Sequence, residues 1–356
     1  MSIIGQAVAT SQVRDGHQGG VNSGSVNPLF IEQYGGEVEH RILKESFMRQ
    51  FFNFKSVRGT DTVTNDRMGF TALQKVSRGV RPTDSSPTFD NISVKVDTIV
   101  LARTNQFLLD DFLAHLDVRK EVGVEHGKTI GKFFDEAFIV QGIKAAQITN
   151  QDPTGAKLGG WLGGVGGYAE IIRTAPEGFQ GATPIMLDVA GDEADSDKLV
   201  RAIQDMCETI STKDVELSGG VLLVRPAEYY TLLRNDKLLD RDFSEMNGDF
   251  AKGQVLQANG LRVQITNRFP AAADVGQTHF LSNAGNGNAY DVTADDAQCI
   301  ALFLQPKALL AGETIPLTSK VYYSDIELQW FIDSYLAFGV TPNRAEMAAA
   351  IFTTKA

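Results

Sequence analysis

Two short stretches of this 356-residue sequence carry residues spaced almost as a nucleotide site needs them. The first is "GVEHGKT", residues 123–129. A phosphate-binding loop reads G-x-x-x-x-G-K-[ST], so that backbone N–H groups cradle phosphates and the lysine reaches them. Here Gly123 stands one residue too close to Gly127, and no strand precedes it. Without a strand–loop–helix geometry the amides do not converge on an anion. The stretch reads instead as part of a long helix. The second is "GVGGYA", 164–169, which fits G-x-G-x-x-A. A dinucleotide fold needs a buried strand before that motif. "KLGGWLG" stands there, so this stretch reads as a loop.

Other chemistry is thin. The five histidines, His17, His40, His115, His126 and His279, form no H-x-x-x-H and pair with no cysteine at zinc spacing. The acidic group Asp188, Asp192, Glu193, Asp195 and Asp197 lacks the glycine and glutamate of a calcium loop. Carboxylates before a helix are favoured by its dipole, which accounts for them. No G-x-S-x-G elbow presents a serine nucleophile. Cys207 and Cys299 are the only cysteines and read as buried thiols of a reducing compartment. The expectation is no catalytic residue, no cofactor and no metal.

The elements around these motifs are better defined. Residues 1–28 are rich in Gly, Ser, Asn and Gln and read as an extended arm. Val38, Ile42, Phe47, Phe51 and Phe52 follow at helical spacing after Gly36. "RMGFTAL" and "ISVKVDTIVLA" read as two strands of a hairpin around a long polar tip, "VSRGVRPTDSSPTFDN", 76–91. Asp117 is placed to cap a helix running to about Ile148. Ile130, Phe133, Phe134, Ala137, Val140 and Ala145 give that helix an apolar stripe, with Lys128, Lys132, Asp135, Glu136 and Lys144 on the other side. At ~45 Å it would be a strut.

Residues 149–184 are glycine-rich and loop-like. "SDKLVRAIQDMCETIST" reads as a helix capped by Ser196 or Asp195. "GGVLLVRPAEYYTLLRN" reads as a buried strand, a proline and a short helix. "GLRVQITNRFP" reads as a strand with alternating faces, and "CIALFLQP" as another strand. Most of the C-terminal stretch has strand character, and "TPNRAEMAAAI" reads as a turn or short helix.

Length suggests about two domains, or one domain with large excursions. The formal net charge of −11 argues against a chain that grips nucleic acid through phosphate neutralisation. No signal segment is visible, and no apolar run approaches the ~20 residues of a membrane span. An arm, a long-tipped hairpin, a strut and a glycine loop bury little of their own surface. Such shapes are stable when neighbours cover them, which points to assembly.

Several blocks, taken in order, resemble the major capsid protein of short-tailed bacteriophages with the Hong Kong 97 phage capsid fold. They are "LFIEQYGGEVEHRILKES", "LDVRKEV" with "GKTIGKFFDEAFI", "GVLLVRPAEYYTLL", "GQVLQANGLRVQITNRFP", "CIALFLQPKAL" and "YLAFGVTPNRAEMAAAIF". They span about residue 28 to the C-terminus. The resemblance implies an α+β chain in five parts. Residues 1–55 would be an N-terminal arm and 56–103 an extended loop. Residues 104–180 and 311–356 would form a peripheral domain around a spine helix, and 181–310 an axial domain. "SNAGNGNAY", 282–290, would be a mobile loop.

The resemblance also implies an icosahedral shell of pentamers and hexamers in a virion, assembled in the host bacterial cytoplasm. The partners would be other copies of the chain, a separate scaffolding protein and a portal protein. Double-stranded DNA would be enclosed without specific binding, and no membrane would be involved. A shell lining that is acidic or neutral is expected, since a basic one would hinder packaging. The residues expected to meet a neighbour are Lys75, Arg78 and Arg81 on one limb of the tip and Asp84 and Asp90 on the other. The competing readings are an encapsulin-type compartment shell and a soluble nucleotide-binding enzyme.

Overall fold

The computed structural model describes residues 46–57, 59–68, 75–79, 81, 89–107, 118–148, 180–187, 189, 191–235, 248–249, 254–255, 257–258 and 260–353. In chain order the helices are α1 (Phe47–Phe51), α2 (Val118–Ala146), α3 (Ser196–Thr212) and α4 (Pro226–Leu232). The strands are β1 (Phe54–Ser56), β2 (Thr62–Met68), β3 (Phe89–Lys95), β4 (Val100–Phe107), β5 (Thr183–Met186), β6 (Val221–Val224), β7 (Gly248–Asp249), β8 (Gln254–Val255), β9 (Gln257–Ala258), β10 (Leu261–Ile265), β11 (Cys299–Leu304), β12 (Leu309–Ser324), β13 (Gln329–Pro342) and β14 (Ala348–Phe352). The chain divides into two compact units. One comprises the described residues within 1–50, 97–134 and 314–338. The other comprises those within 51–96, 135–313 and 339–356.

The larger unit is built on a six-stranded sheet of order β5-β14-β11-β6-β10-β9. β6 runs parallel to β10, with Val221 opposite Arg262, and antiparallel to β11, with Val224 opposite Ala301. Every residue of β11 is buried, which explains the unbroken apolar run "CIALFL". Helix α3 places Leu199, Ile203, Met206 and Ile210 along one stripe, against Leu222, Val224, Ile300 and Phe303 of the sheet. Its cap is Asp195, whose carboxylate accepts from the backbone N–H of Asp197 at 3.0 Å and of Lys198 at 3.4 Å. This settles the choice between Asp195 and Ser196. Cys207 and Cys299 are buried as free thiols, and burial pushes the Cys299 thiol far up, leaving it protonated.

The expected strand, proline and short helix around Arg225 are all present. The expected alternation holds from Leu261 to Val263, with both of these buried and Arg262 exposed, and breaks at Ile265, which is exposed although it shares their face. The end of the chain departs from expectation. Only Ala345–Met347 form a helical turn, and "AAAIF" is strand β14, fully buried between β11 and β5. Alanine favours helix locally. A place inside the sheet, with its backbone groups paired on both sides, overrides that preference.

Helix α2 spans 29 residues, about 44 Å at its rise per residue. "GVEHGKT" lies wholly within it, as expected. The two-faced strut does not hold for its second half, where every residue from Ala137 to Ile143 is buried. Asp135, expected on the polar side, is buried too. Phe138 packs against Phe52 and Phe54 at centroid distances of 5.2 and 5.7 Å. The half-buried Lys144 turns inward and donates to the backbone oxygens of Ala289 and Asp291 at 2.6 and 2.7 Å. Gln141 donates to the same Ala289 oxygen at 2.9 Å. Gln141 and Lys144 therefore mark a buried hydrogen-bonded seam, whereas Lys132 and Glu136 stay exposed as expected.

The stretch 282–290, expected as a mobile loop, is a hydrogen-bonded turn beside that seam. Asn283 and Asn286 each accept the other's backbone N–H at 3.0 Å. The Tyr290 hydroxyl donates to the Val340 oxygen at 2.9 Å and accepts from the Val340 N–H at 2.7 Å. Gly and Asn here supply the tight turn itself, with Gly287 and Asn288 at φ of 62° and 54°.

In the smaller unit β4 pairs antiparallel with β13, from Val100 opposite Leu336 to Phe107 opposite Gln329. Phe134 of α2 packs on Phe338 at 4.6 Å. His126 is buried, its Nε2 2.8 Å from the Thr104 hydroxyl. Burial holds its imidazole below the ordinary value, while Asp333 and Glu125 act the other way. The folded chain thus favours the neutral ring. Stability is unaffected above a pH of about 6.5 and falls as pH drops from there towards the lowered folded value, by at most about 1.4 kcal/mol per pH unit. Urea melts of His126→Gln between pH 7 and 5 are expected to show a smaller acid loss than the native chain. Equal slopes would refute this assignment.

Candidate intersubunit surface

The hairpin β2/β3 keeps one register from Thr62 opposite Lys95 to Met68 opposite Phe89. Residues alternate between its two faces, as period-two geometry requires. The inner face carries Val63, Asn65 and Arg67 on β2 and Asp90, Ile92 and Val94 on β3. Arg67 Nε donates to Asp90 Oδ2 at 2.8 Å, and its Nη1 donates to the Asn343 backbone oxygen. Asn65 donates to the Asn343 side chain at 3.1 Å and accepts from Lys55 Nζ at 2.8 Å. Near the base, Val63 and Val94 lie close to Gly312, and Val94, Val96 and the Lys95 oxygen crowd Gly339. These glycines let the hairpin lie directly on the backbones of β12 and β13. The hairpin is thus fastened along its inner face.

β2 starts at Thr62, ahead of the expected strand, and the connection to β3 lies within residues 69–88. Lys75, Arg78 and Arg81 lie on that connection and are exposed. Asp84 lies outside the described residues. Asp90 is not on the tip. It sits in β3, paired with Arg67, with a 2.5 Å ion pair and only 28% of its side chain exposed. The single long strand expected over "ISVKVDTIVLA" is broken at Val96–Ile99. Its first half belongs to the hairpin and its second half to β4.

Sequence reasoning missed the apolar members of this surface. Met68 and Phe89 form the last cross-strand pair among the described residues and are 52% and 71% exposed. The alternation that sends Arg67 and Asp90 inward sends these two outward, so the signal was present. In the smaller unit the turn between β12 and β13, Asp325 to Leu328, is wholly exposed. Ile326 there is 95% exposed, more than any other large apolar side chain among the described residues. Leu101 and Phe107 project from the outer face of β4. Beside them Arg103 is paired with Asp333 at 2.7 Å and lies 5.1 Å over the Phe331 ring. Helices α1 to α4 include none long and apolar enough to cross a membrane. "GVGGYA", His17, His40 and His115 lie outside the described residues.

No protein-family model matches the chain, and no curated protein sequence does. Solved structures match it along nearly its whole length. The mature capsid of bacteriophage PhiM1 superposes with a TM-score of 0.70 at 23% identity, covering 96% of this chain and 93% of that one. The capsid of cyanophage P-SCSP1u gives a TM-score of 0.70 at 16% identity, covering 94% and 93%. The capsid of Ralstonia phage GP4 gives 0.51 at 14% identity, covering 85% and 86%. The chain has the α+β, Hong Kong 97-like phage capsid fold expected from its sequence blocks.

Proposed function

We propose that this chain is the major capsid protein of a tailed bacteriophage, a structural and not a catalytic protein. Many copies close into an icosahedral shell of pentamers and hexamers around double-stranded DNA, in a virion assembled in the bacterial cytoplasm. The observation that carries this reading is mutual coverage. The chain matches phage capsid subunits over more than nine-tenths of both lengths, so little of either protein is left to define another activity. Exposed apolar side chains such as Phe89 and Ile326 are compatible with contacts to other copies. Other copies of the chain are the principal partners, with a scaffolding protein and a portal protein. The DNA is enclosed without sequence-specific contact.

On this reading residues 1–55 are the arm and 56–103 the extended loop. Residues 104–180 and 311–356 make the peripheral domain, with strand β14 joining the sheet of the axial domain, 181–310. Lys75, Arg78, Arg81, Asp84 and Asp90 belong to the loop that reaches a neighbour, with Asp90 setting the loop's shape through Arg67. Individually weak interfaces suffice, because once some close the rest become effectively intramolecular.

Electron micrographs of the expressed chain, alone and with a co-expressed scaffolding protein, test the reading. Uniform shells support it. A small monodisperse oligomer refutes it, and shells filled with a cargo enzyme and lacking a portal would favour an encapsulin-type compartment. A second test removes the reach of the loop. Replacing residues 69–88 with a tight Asn-Gly turn preserves the strand register. Shell yield is expected to fall about tenfold or more, since one interface is lost at every subunit, with the subunit's melting temperature little changed. Normal shells of normal stability would refute the role of the tip.

A further inference from the structure

We infer that the turn 279–291 is an acid-released latch on helix α2, keyed by the imidazole of His279. The latch belongs to the folded subunit and does not depend on the shell.

The turn holds α2 through its main chain. Lys144 Nζ donates to the Ala289 and Asp291 oxygens at 2.6 and 2.7 Å, and Gln141 Nε2 donates to the Ala289 oxygen at 2.9 Å. All of these residues lie in the larger unit. Residues 271–278 are exposed throughout, so burial of the turn begins at half-buried His279 and buried Leu281. Phe280 between them is 83% exposed. His279 closes the turn at three points. Its backbone N–H donates to Asp291 Oδ1 at 2.9 Å, and its Nδ1 accepts from the Leu281 N–H at 3.2 Å. Its ring stacks on Tyr290 with centroids 5.6 Å apart. The Tyr290 hydroxyl is bonded in turn to both backbone groups of Val340. One side chain therefore ties the start of the turn to the residues that hold α2.

An Nδ1 that accepts carries no proton, so the latched ring is neutral with its hydrogen on Nε2. An imidazolium donates from both nitrogens. Its Nδ1–H would face the Leu281 N–H, donor against donor, and the bond to Leu281 would be lost. The charged groups facing the ring are Asp291 on the turn and Lys144 on α2. Burial holds the imidazole below its ordinary value; Asp291 opposes this and Lys144 adds to it. The neutral ring thus belongs to the latched turn. The latch is closed above a pH of about 6.5. It loosens as pH falls from there towards the lowered folded value, by at most about tenfold per pH unit.

Hydrogen exchange of the native chain between pH 7 and 5, with each rate taken relative to the unfolded chain at the same pH, tests the latch. Protection at 281–291 is expected to fall about tenfold across that range, while β6 and β11 keep theirs. His279→Asn places an oxygen where Nδ1 stood, able to accept from the Leu281 N–H without titrating, and is expected to abolish the fall. Constant protection at 281–291 in the native chain overturns the inference. So does an equal fall in β6 and β11, or an equal fall in His279→Asn. Should that variant not fold, exchange of the imidazole Cε1 hydrogen in the native chain decides. It is expected to report a titration below the ordinary histidine value of about 6.5, coincident with the loss of protection. Titration at or above that value overturns the inference.

Discussion

Replacing Phe303 with alanine is expected to lower the stability of the subunit by about 3–5 kcal/mol. Phe303 sits next to the last residue of β11, fully buried, and joins the core packed by α3. Its ring edge fills a notch created by Gly220. A Cβ built on Gly220 would lie 2.3 and 2.4 Å from two ring carbons. Neither the ring nor the glycine has room to yield, so Gly220→Ala alone is expected to cost about 1–3 kcal/mol through overpacking. The pair gives a sharper test than either change. In Phe303→Ala the added methyl of Gly220→Ala enters the space left by the ring. The double variant should be less destabilised than the sum of the singles. Chemical denaturation of all four chains measures this. Strict additivity would show that ring and glycine do not share the space.

Gly339→Val is expected to loosen the extended hairpin from the strand beneath it. A Cβ at Gly339 falls 2.8 Å from the Lys95 carbonyl oxygen and 3.0 Å from Val94 Cγ2. The nearest atom is backbone, which cannot rotate away as a side-chain tip can. Alanine should cost about 1–3 kcal/mol and valine more. The damage should be local. Amide hydrogens of β2 and β3 are expected to exchange faster, while those of β6 and β11 keep their protection, because a hairpin can open apart from the core sheet. Uniform loss of protection would refute this. Under the shell reading such a subunit would also assemble poorly, since a hairpin detached at its base cannot aim its tip.

Much of the fold was legible because its local signals agree with its global place. Helix α3 has its stripe and its Asp195 cap within one short stretch. The apolar runs of β6 and β11 announce strands buried on both faces. Pro226 stands at the first turn of α4, where its missing N–H is harmless. Gly123 sits too close to Gly127 for a phosphate loop, and the structure places that stretch inside α2. The candidate surface was half legible. The basic residues of the tip stood out by type, strand alternation already set Met68 and Phe89 opposite in face to Arg67 and Asp90, and Ile326 gained meaning only from its exposure.

The sequence by itself determined which segments are helix or strand wherever period, cap and breaker coincide, and the order of its blocks determined the class of fold. Tertiary structure decided what depends on a partner far along the chain. Asp90 reads as a tip charge until Arg67 crosses the hairpin to it, and Arg67 is held in turn by Asn343, 276 residues away. "TPNRAEMAAAI" reads as a turn or short helix until β11 and β5 take up the backbone groups of its last residues on both sides. Asp135 and Lys144 read as a solvated face until residues fold over them. In each case the local preference is worth about 1 kcal/mol or less per residue, and burial with satisfied hydrogen bonds outweighs it.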